Sequence, residues 1–353
     1  MDYHLLGRTG LKISALSLGV ATLGSRWGDR WTMSRAAAEN LVGTALEHGI
    51  NHFDTANVYN MGESEQWLGS ILNRLSARDR CVVSTKFGYR THPDDPNSGG
   101  AGRKNMFGSV ERSLRRLETD YVDVLYLHLW DRVTPVEETL DAASDLVRAG
   151  KVRYFGLSNV PGWYLGAADA MGSHPRLARP VAVQLNYNLL TRAAEPEFLS
   201  FQRNSGIGLV AWGPLADGLL SGRYTVDPVG RRIIGSGRLT DTFTTGDVDP
   251  FSPAVSRVLR CLATLSDRLG HPPASIALAW LLRKPEVTSV LMGVSTVEQL
   301  KANLSALDVP LDADAIADID RASLDPPVNP YTFLTDELQE LVHGKDRESR
   351  ARA

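Results

Sequence analysis

The sequence predicts an α/β protein folded as a (β/α)8 TIM barrel. Short apolar segments alternate with longer amphipathic segments along most of the 353 residues, and eight such pairs can be counted. The strand segments are apolar enough to be covered on both faces, which is typical of parallel sheets. An open doubly wound sheet would favour a Gly-x-Gly-x-x-Gly turn after an early strand, and the sequence contains none.

The predicted elements follow one another in a regular order. An N-terminal β-hairpin in "GRTGLKIS" (7–14) is expected to cap the barrel floor. The eight predicted strands are 13–19, 50–55, 81–88, 121–128, 152–159, 181–187, 207–214 and 287–293. The eight predicted helices are 35–48, 64–75, 106–117, 135–150, 162–172, 195–206, 256–270 and 296–307. The first helix stops at Gly49, and the second gathers Leu68, Ile71 and Leu75 on one face.

Two regions fall outside this repeating pattern. The connection at 213–252 is longer than usual and rich in Gly and Thr, which is typical of a lid. Residues 1–325 are predicted to form the barrel domain. Residues 326–353 are predicted to form a partly disordered C-terminal extension with one amphipathic segment.

Composition excludes several classes of function. A formal net charge of −3 gives no reason to expect a nucleic-acid partner. No apolar run approaches the ~20 residues that span a bilayer, and the N-terminus lacks a signal-peptide pattern, so a cytoplasmic protein without membrane contact is expected. Two cysteines, Cys81 and Cys261, imply no disulfide framework. The pair His48 and His52 has the spacing of helical zinc ligands, but Gly49 interrupts the helix, so no metal is predicted. Oligomeric state is not visible in the sequence.

Polar residues stand at the carboxyl ends of six predicted strands, the end at which barrels carry function. Each has an ordinary structural explanation when taken alone, but six on one rim indicate a site. These residues are Asp54, Lys86, His128, Ser158 with Asn159, Gln184, and Trp212.

Four residues make chemical sense as one unit. Tyr59 follows the second strand, and its phenol would be a weak proton donor unless a nearby cation lowered its pKa. Lys86 is expected to provide that cation, and Asp54 its counter-charge. His128 would orient a substrate oxygen. Together they would protonate an alkoxide developing during carbonyl reduction.

Ordered motifs strengthen this interpretation. "FDTANVY…GESE", "STK", "LHLWD", "GLSN", "VQLNYNLL", "AWGPLADGLLSGRY" and "GVSTVEQLKANL" occur in that order, and the chain resembles the aldo-keto reductase superfamily from about residue 3 to residue 325. The resemblance implies a nicotinamide-dependent reductase with the tetrad Asp54, Tyr59, Lys86 and His128. It also implies a cofactor site formed by Ser158, Asn159, Gln184, Trp212, Gly213, Pro214, Leu215, Gly218, Arg223, Gly293, Ser295, Gln299 and Asn303.

Cofactor preference depends on the last predicted loop. Gln299 stands where many members place an arginine for the 2′-phosphate, and Ala302 stands where an acidic residue often meets adenine. Gln299 is similar to the potassium-channel β-subunit branch, so NADP(H) is favoured over NAD(H), with Ser295 and Arg238 contacting phosphate. The 213–252 connection is interpreted as a belt over the cofactor. The 91–105 loop, with Trp27, Trp31 and Trp130, is predicted to border the pocket for a small-molecule carbonyl substrate.

Two alternatives stay open at this point. One is a ketoreductase acting on a nucleotide-linked deoxysugar, because the substrate loops carry no self-explanatory motif. The other is a nicotinamide-sensing regulatory subunit with little turnover. The channel β subunits have Asn where this chain has His128, and the intact tetrad therefore favours a working reductase.

Overall fold

A computed structural model of the chain describes residues 1–27, 33–235, 237, 239, 248–324 and 326–344. Its centre is a closed barrel of eight parallel strands, which confirms the predicted fold class. In their order around the barrel, the strands are β3 (Leu16–Gly19), β4 (His52–Asp54), β5 (Val82–Phe87), β6 (Val122–Leu127), β7 (Val152–Ser158), β8 (Ala182–Asn186), β9 (Gly208–Trp212) and β12 (Val287–Gly293).

The helices surround the barrel. They are α1 (Arg35–Glu47), α2 (Glu63–Arg74), α3 (Arg103–Leu117), α4 (Val136–Arg148), α5 (Gly162–Met171), α6 (Ser200–Ser205), α7 (Pro253–Leu269), α8 (Pro273–Leu282), α9 (Val297–Leu304), α10 (Ala313–Ser323) and α11 (Asp336–His343). Ser34, Ser252 and Thr296 cap the N-termini of α1, α7 and α9 by accepting a backbone N–H.

The seventh unit differs from the prediction. The predicted helix there exists as α7, but α7 packs against α8 and α10. The helix that contacts strand β12 is α8, and almost all of α8 is buried. A helix buried on every side is apolar on every side, so it shows no amphipathic periodicity in the sequence.

Two separate cores hold the barrel. The larger core lies between the strands and the helices, and it includes outward-facing residues such as Phe53 and Val83. The smaller core lies inside the barrel, where Val124 and Val210 meet Leu6 and Ile13 of the N-terminal segment. A hairpin of β1 (Tyr3–Leu5) and β2 (Lys12–Ser14) brings in these last two side chains, as predicted for a floor cap.

The long connection after β9 has structure of its own. A short 3₁₀ segment (Ala216–Ser221) leads to a two-stranded hairpin of β10 (Thr225–Asp227) and β11 (Arg232–Ile234). Beyond the barrel, helix α11 has no buried residue. No helix among the described residues is long and apolar enough to cross a membrane.

Candidate active site

Lys86 is the central charge at the barrel mouth, and it is fully buried. It forms an ion pair with Oδ1 of Asp54, and its ammonium also donates to the Thr55 carbonyl at 2.9 Å. Its third polar neighbour is the Tyr59 hydroxyl at 3.5 Å. The lysine ammonium and the phenol hydroxyl are therefore within contact distance of each other.

Strand geometry explains why these side chains meet. Asp54 ends β4, and Lys86 lies on β5, two residues beyond Ser84, which is the register partner of Asp54. Side chains two residues apart point to the same face of a strand, so Ser84 and Lys86 both face the interior of the barrel.

Tyr59 is placed by a tight turn rather than by a strand. Asn60, Met61 and Gly62 directly after it have φ values of 48°, 55° and 92°, in the left-handed region. A Cβ at Gly62 would lie 2.8 Å from Cδ of Arg116, so only glycine fits there without displacement. The Asn60 side chain fixes the turn by accepting from the Arg26 and Trp27 amides, both at 3.0 Å.

His128 follows β6 and completes the group. Its ring meets the Tyr59 ring edge-on, with centroids 5.7 Å apart, and Tyr89 contacts its other side at 4.8 Å. Its Nδ1 is buried without a hydrogen-bond partner among the described residues. Burial, and next the Lys86 charge, lower the pKa of His128 to about 3, so its imidazole is neutral at pH 7.

The pKa directions of the other three groups follow from burial and pairing. Burial opposes both charges of the ion pair, but the mutual attraction prevails: the pKa of Asp54 is lowered and that of Lys86 is raised. For Tyr59, burial outweighs Lys86, and the pKa of the phenol is raised above its ordinary value. The predicted lowering of the Tyr59 pKa is therefore wrong, because the loss of water around the phenolate exceeds the attraction of a cation that Asp54 already neutralises.

A chain of buried hydrogen bonds extends from Asp54 toward the barrel floor. Ser84 donates to Oδ2 of Asp54 at 2.6 Å, and its oxygen lies 3.0 Å from Nε2 of His52. Nδ1 of His52 in turn lies 2.8 Å from the Ser17 hydroxyl. His52 was considered above only as a metal ligand, and Ser84 was not predicted to belong to the site, although each stands two residues before a predicted site residue on the same strand. His48, the other half of the considered metal pair, instead contacts the Thr44 carbonyl at the end of α1.

The predicted nicotinamide contacts also lie together. Ser158 and Gln184 are register partners on β7 and β8, and the Ser158 hydroxyl donates to the Gln184 carbonyl at 2.9 Å. Asn159, with φ 50°, donates to the His128 carbonyl at 2.9 Å and accepts from the Trp212 indole at 3.2 Å. Gln184 itself donates to Asp54 at 3.0 Å, which joins this group to the tetrad.

The remaining predicted cofactor residues lie on two loops. Gly213, Pro214, Leu215 and Gly218 directly follow β9, with left-handed φ at the two glycines, and Arg223 is exposed beyond them. A cavity of about 160 Å³ separates Trp212 and Gly213 from Ile233, Leu239 and Val248 of the long connection. Arg238 lies outside the described residues.

The second loop follows β12. Gly293 ends this strand, and a Cβ at that position would meet nothing within 4 Å. The Gln299 side chain accepts from the Ser295 amide at 2.8 Å and so closes the loop on itself, while Asn303 is buried on α9. Polar groups and an open strand end are what a nicotinamide dinucleotide would need along this side of the rim. That these residues bind such a cofactor stays a prediction.

Aromatic side chains stand next to the tetrad. Trp27 is 38% exposed and meets the Tyr59 ring edge-on at 5.8 Å, as expected for a pocket wall. Trp130 packs edge-on against Trp163 at 5.3 Å, and its place beside the substrate pocket stays a prediction. Trp31 lies outside the described residues.

Comparison with known proteins identifies the family of this chain. The profile of the aldo/keto reductase family matches residues 15–324, which include all eight strands of the barrel. The chain belongs to the aldo/keto reductase family. It is therefore an oxidoreductase of a family that acts on small-molecule carbonyl compounds and generally uses nicotinamide cofactors.

Named relatives of this family member span several functions. The oxidoreductase YrpG of Bacillus subtilis is 35% identical, with 90% of this chain and 94% of that protein covered. The L-glyceraldehyde 3-phosphate reductase of Escherichia coli K12 is 33% identical over 95% and 96%. A probable voltage-gated potassium channel subunit beta of Arabidopsis thaliana is 32% identical over 94% and 100%.

Proposed function

We propose that this aldo/keto reductase uses NADPH to reduce an aldehyde or ketone to an alcohol, with Tyr59 as the general acid. The observation that carries the proposal is the buried Lys86 ammonium, which contacts both Asp54 and the Tyr59 hydroxyl. A reduced nicotinamide supplies the hydride for such a reaction when it is bound.

The raised pKa of Tyr59 keeps the phenol protonated at neutral pH, and it also makes the phenol a weaker acid than an ordinary tyrosine, so the proposal depends on stabilisation of the phenolate after proton transfer. The phenol stays protonated before reaction and can donate its proton to the oxygen that gains charge. Lys86 stabilises the phenolate that remains, and Asp54 keeps Lys86 charged and in place. General acid catalysis of this kind typically contributes about 10²- to 10⁴-fold in rate.

Neutral His128 has a complementary role in this proposal. A neutral imidazole carries one N–H, which can donate a hydrogen bond to the substrate oxygen while Tyr59 supplies the proton. Trp27 beside Tyr59 and Tyr89 beside His128 give the pocket aromatic walls, which suits a substrate with an apolar body.

Replacing the phenol tests the assignment. We expect Tyr59→Phe to lower kcat for aldehyde reduction by about 10²-fold or more, while NADPH affinity measured by fluorescence stays within a few-fold. The matched control is Tyr89→Phe, which removes a neighbouring hydroxyl and should retain most turnover. Near wild-type turnover by Tyr59→Phe would reject Tyr59 as the acid.

The substrate and cofactor preferences need a direct screen. Turnover should be measured with NADPH and NADH against aromatic aldehydes, aliphatic ketones and sugar carbonyls. The similarity to a probable channel subunit beta favours a second candidate, a cofactor-binding regulatory subunit. Tight NADPH binding without turnover of any of these carbonyls would favour that candidate.

A further inference from the structure

A second concave site lies on the outside of the barrel, between α1, α2 and α3. It is a groove of about 660 Å³, and four arginines line it: Arg35, Arg112, Arg115 and Arg116. Trp67 and Glu118 also line it. We call these six residues the arginine groove.

Two of the four guanidinium groups are already paired. Arg116 forms an ion pair with the fully buried Glu65 at 2.6 Å, and Glu65 also accepts from the Thr85 hydroxyl at 2.5 Å. Arg35 donates to Glu39 at 3.3 Å and to Ser70 at 2.5 Å, and it lies over the Trp67 ring. These contacts fix the floor and one wall of the groove.

The other two guanidinium groups have no carboxylate partner among the described residues. Arg112 donates only to the Ser109 hydroxyl, at 3.4 Å, and Arg115 is exposed. The two are three residues apart on α3, so they share a face and repel each other. Burial, and then Arg116 and Arg115, lower the pKa of Arg112, and the charge of Asp95 offsets this only in part.

Glu118 is the one carboxylate among the described residues that line the groove, and it accepts from Asn73 at 3.3 Å. Among the described residues, Glu118 forms no ion pair with Arg112 or Arg115, the two arginines that are not already paired. Guanidinium forks bind phosphoryl and carboxylate groups through paired hydrogen bonds, and two such forks on one face suit a ligand with at least two anionic groups. The groove volume lies within the range of about 300–1,000 Å³ that is common for small-molecule sites.

We propose that the arginine groove binds a small polyanion that carries at least two phosphoryl or carboxylate groups. The groove is formed by helices on the outside of the barrel, whereas the tetrad lies at its mouth. The site therefore does not depend on the function proposed above.

Inorganic pyrophosphate is a suitable probe, titrated by calorimetry at constant ionic strength. We expect saturable binding to the wild-type chain and at least about ten-fold weaker binding to Arg112→Gln/Arg115→Gln. The matched control is Arg257→Gln/Arg260→Gln, which removes two exposed arginines with the same spacing on α7 that have no ion pair among the described residues. This control should bind like the wild type.

Several outcomes would overturn the proposal. Equal affinities for wild type and Arg112→Gln/Arg115→Gln would place any bound pyrophosphate elsewhere on the barrel. Absence of saturable binding would exclude the site, and much tighter, length-dependent binding of single-stranded RNA would indicate a macromolecular partner instead. If the double variant fails to fold by circular dichroism, Arg115→Gln alone changes an exposed residue and should still weaken binding several-fold.

Discussion

Lys86 has almost no contact with water, and a buried ammonium is costly unless its charge is compensated. Asp54 supplies the compensation, while Ser84 and Gln184 donate to the other carboxylate oxygen. Asp54 is thereby held by three donors from two strands, Ser84 and Lys86 on β5 and Gln184 on β8. The ion pair is thus part of a hydrogen-bonded network, and a change to one member leaves a charge unpaired inside the barrel.

We predict that Lys86→Met reduces carbonyl turnover nearly as strongly as Tyr59→Phe, because the phenolate left after proton transfer loses its cation. It should also lower the free energy of unfolding by about 3–5 kcal/mol, because the charge of Asp54 stays buried without a cation. Urea denaturation and steady-state kinetics measure the two effects.

The double variant Lys86→Met/Asp54→Asn separates these two effects. It removes both charges, so it should recover much of the lost stability without recovering turnover. Recovery of turnover in the double variant would contradict the proposed role of Lys86.

His52 makes stability depend on pH. Burial, mainly, lowers its pKa from 6.5 to about 4, so the unfolded chain binds a proton in this interval that the folded chain excludes. Stability from this residue is fully present above about pH 6.5 and is lost as the pH falls toward 4, by up to about 1.4 kcal/mol per pH unit.

We predict that His52→Gln flattens the decline of unfolding free energy between pH 7 and pH 5, measured by urea denaturation at each pH. Part of the decline should persist, because the lowered pKa of His128 also makes the unfolding free energy fall as the pH falls. His343→Gln, on exposed α11, is the matched control and should follow the wild type. A His52→Gln slope equal to that of the wild type would show that His52 does not carry this dependence.

Among the elements, the long connection after β9 is the one most closely associated with the proposed cofactor site. Its hairpin and the residues near 248–250 face Trp212 and Gly213 across a small cavity. The exposed Arg231 and Arg232 lie at the tip of this hairpin, where trypsin can reach them. A cofactor that binds only when this connection is folded over the site would reduce the fraction of molecules in which trypsin can cleave the hairpin.

We predict that saturating NADPH slows tryptic cleavage after Arg231 and Arg232 several-fold. Cleavage after Arg176, which is exposed in the connection between α5 and β8, should not change and serves as the internal control. Mass spectrometry of the fragments measures both rates in one digest. Equal rates at the hairpin with and without NADPH would reject the interpretation of this connection as a belt.

At the scale of the whole molecule, a buried charge cluster joins the last part of the chain to the barrel. Arg192, which is 8% exposed, pairs with Glu195 at 2.6 Å and with Asp320 of α10 at 2.9 Å. Its guanidinium also lies over the ring of Trp280, a fully buried residue of α8. The cluster therefore fixes α8 and α10 relative to the loop after β8.

We predict that Arg192→Met lowers the free energy of unfolding by about 3 kcal/mol, because Glu195 loses its cation and Asp320 keeps only Lys284, at 3.4 Å. Arg321→Met removes an exposed arginine that pairs with Asp318 within α10, and it should cost less than about 1 kcal/mol. Urea denaturation measures both variants. Similar losses in the two would contradict a structural role for the Arg192 cluster.

The sequence alone predicted the barrel and most of its elements, because strands covered on both faces form short apolar runs, and amphipathic helices carry the period that one buried face imposes. It also predicted which residues reach the rim, since those residues end the strands. Helix α8 was not predicted, because a helix that is buried on all sides has no amphipathic period in its sequence. The turn after Tyr59 escaped because it depends on close packing against Arg116, far away in sequence.

The sequence determined the residues of the candidate site, and only the tertiary structure decided their charge states. Ordinary pairing rules predicted a lowered pKa for Tyr59, whereas the folded barrel raises it. The pKa of a buried group depends on the water it loses and on every charge around it, and these come from several strands at once. These contributions to the pKa leave no local pattern in the sequence, so they cannot be derived from the order of residues along the chain.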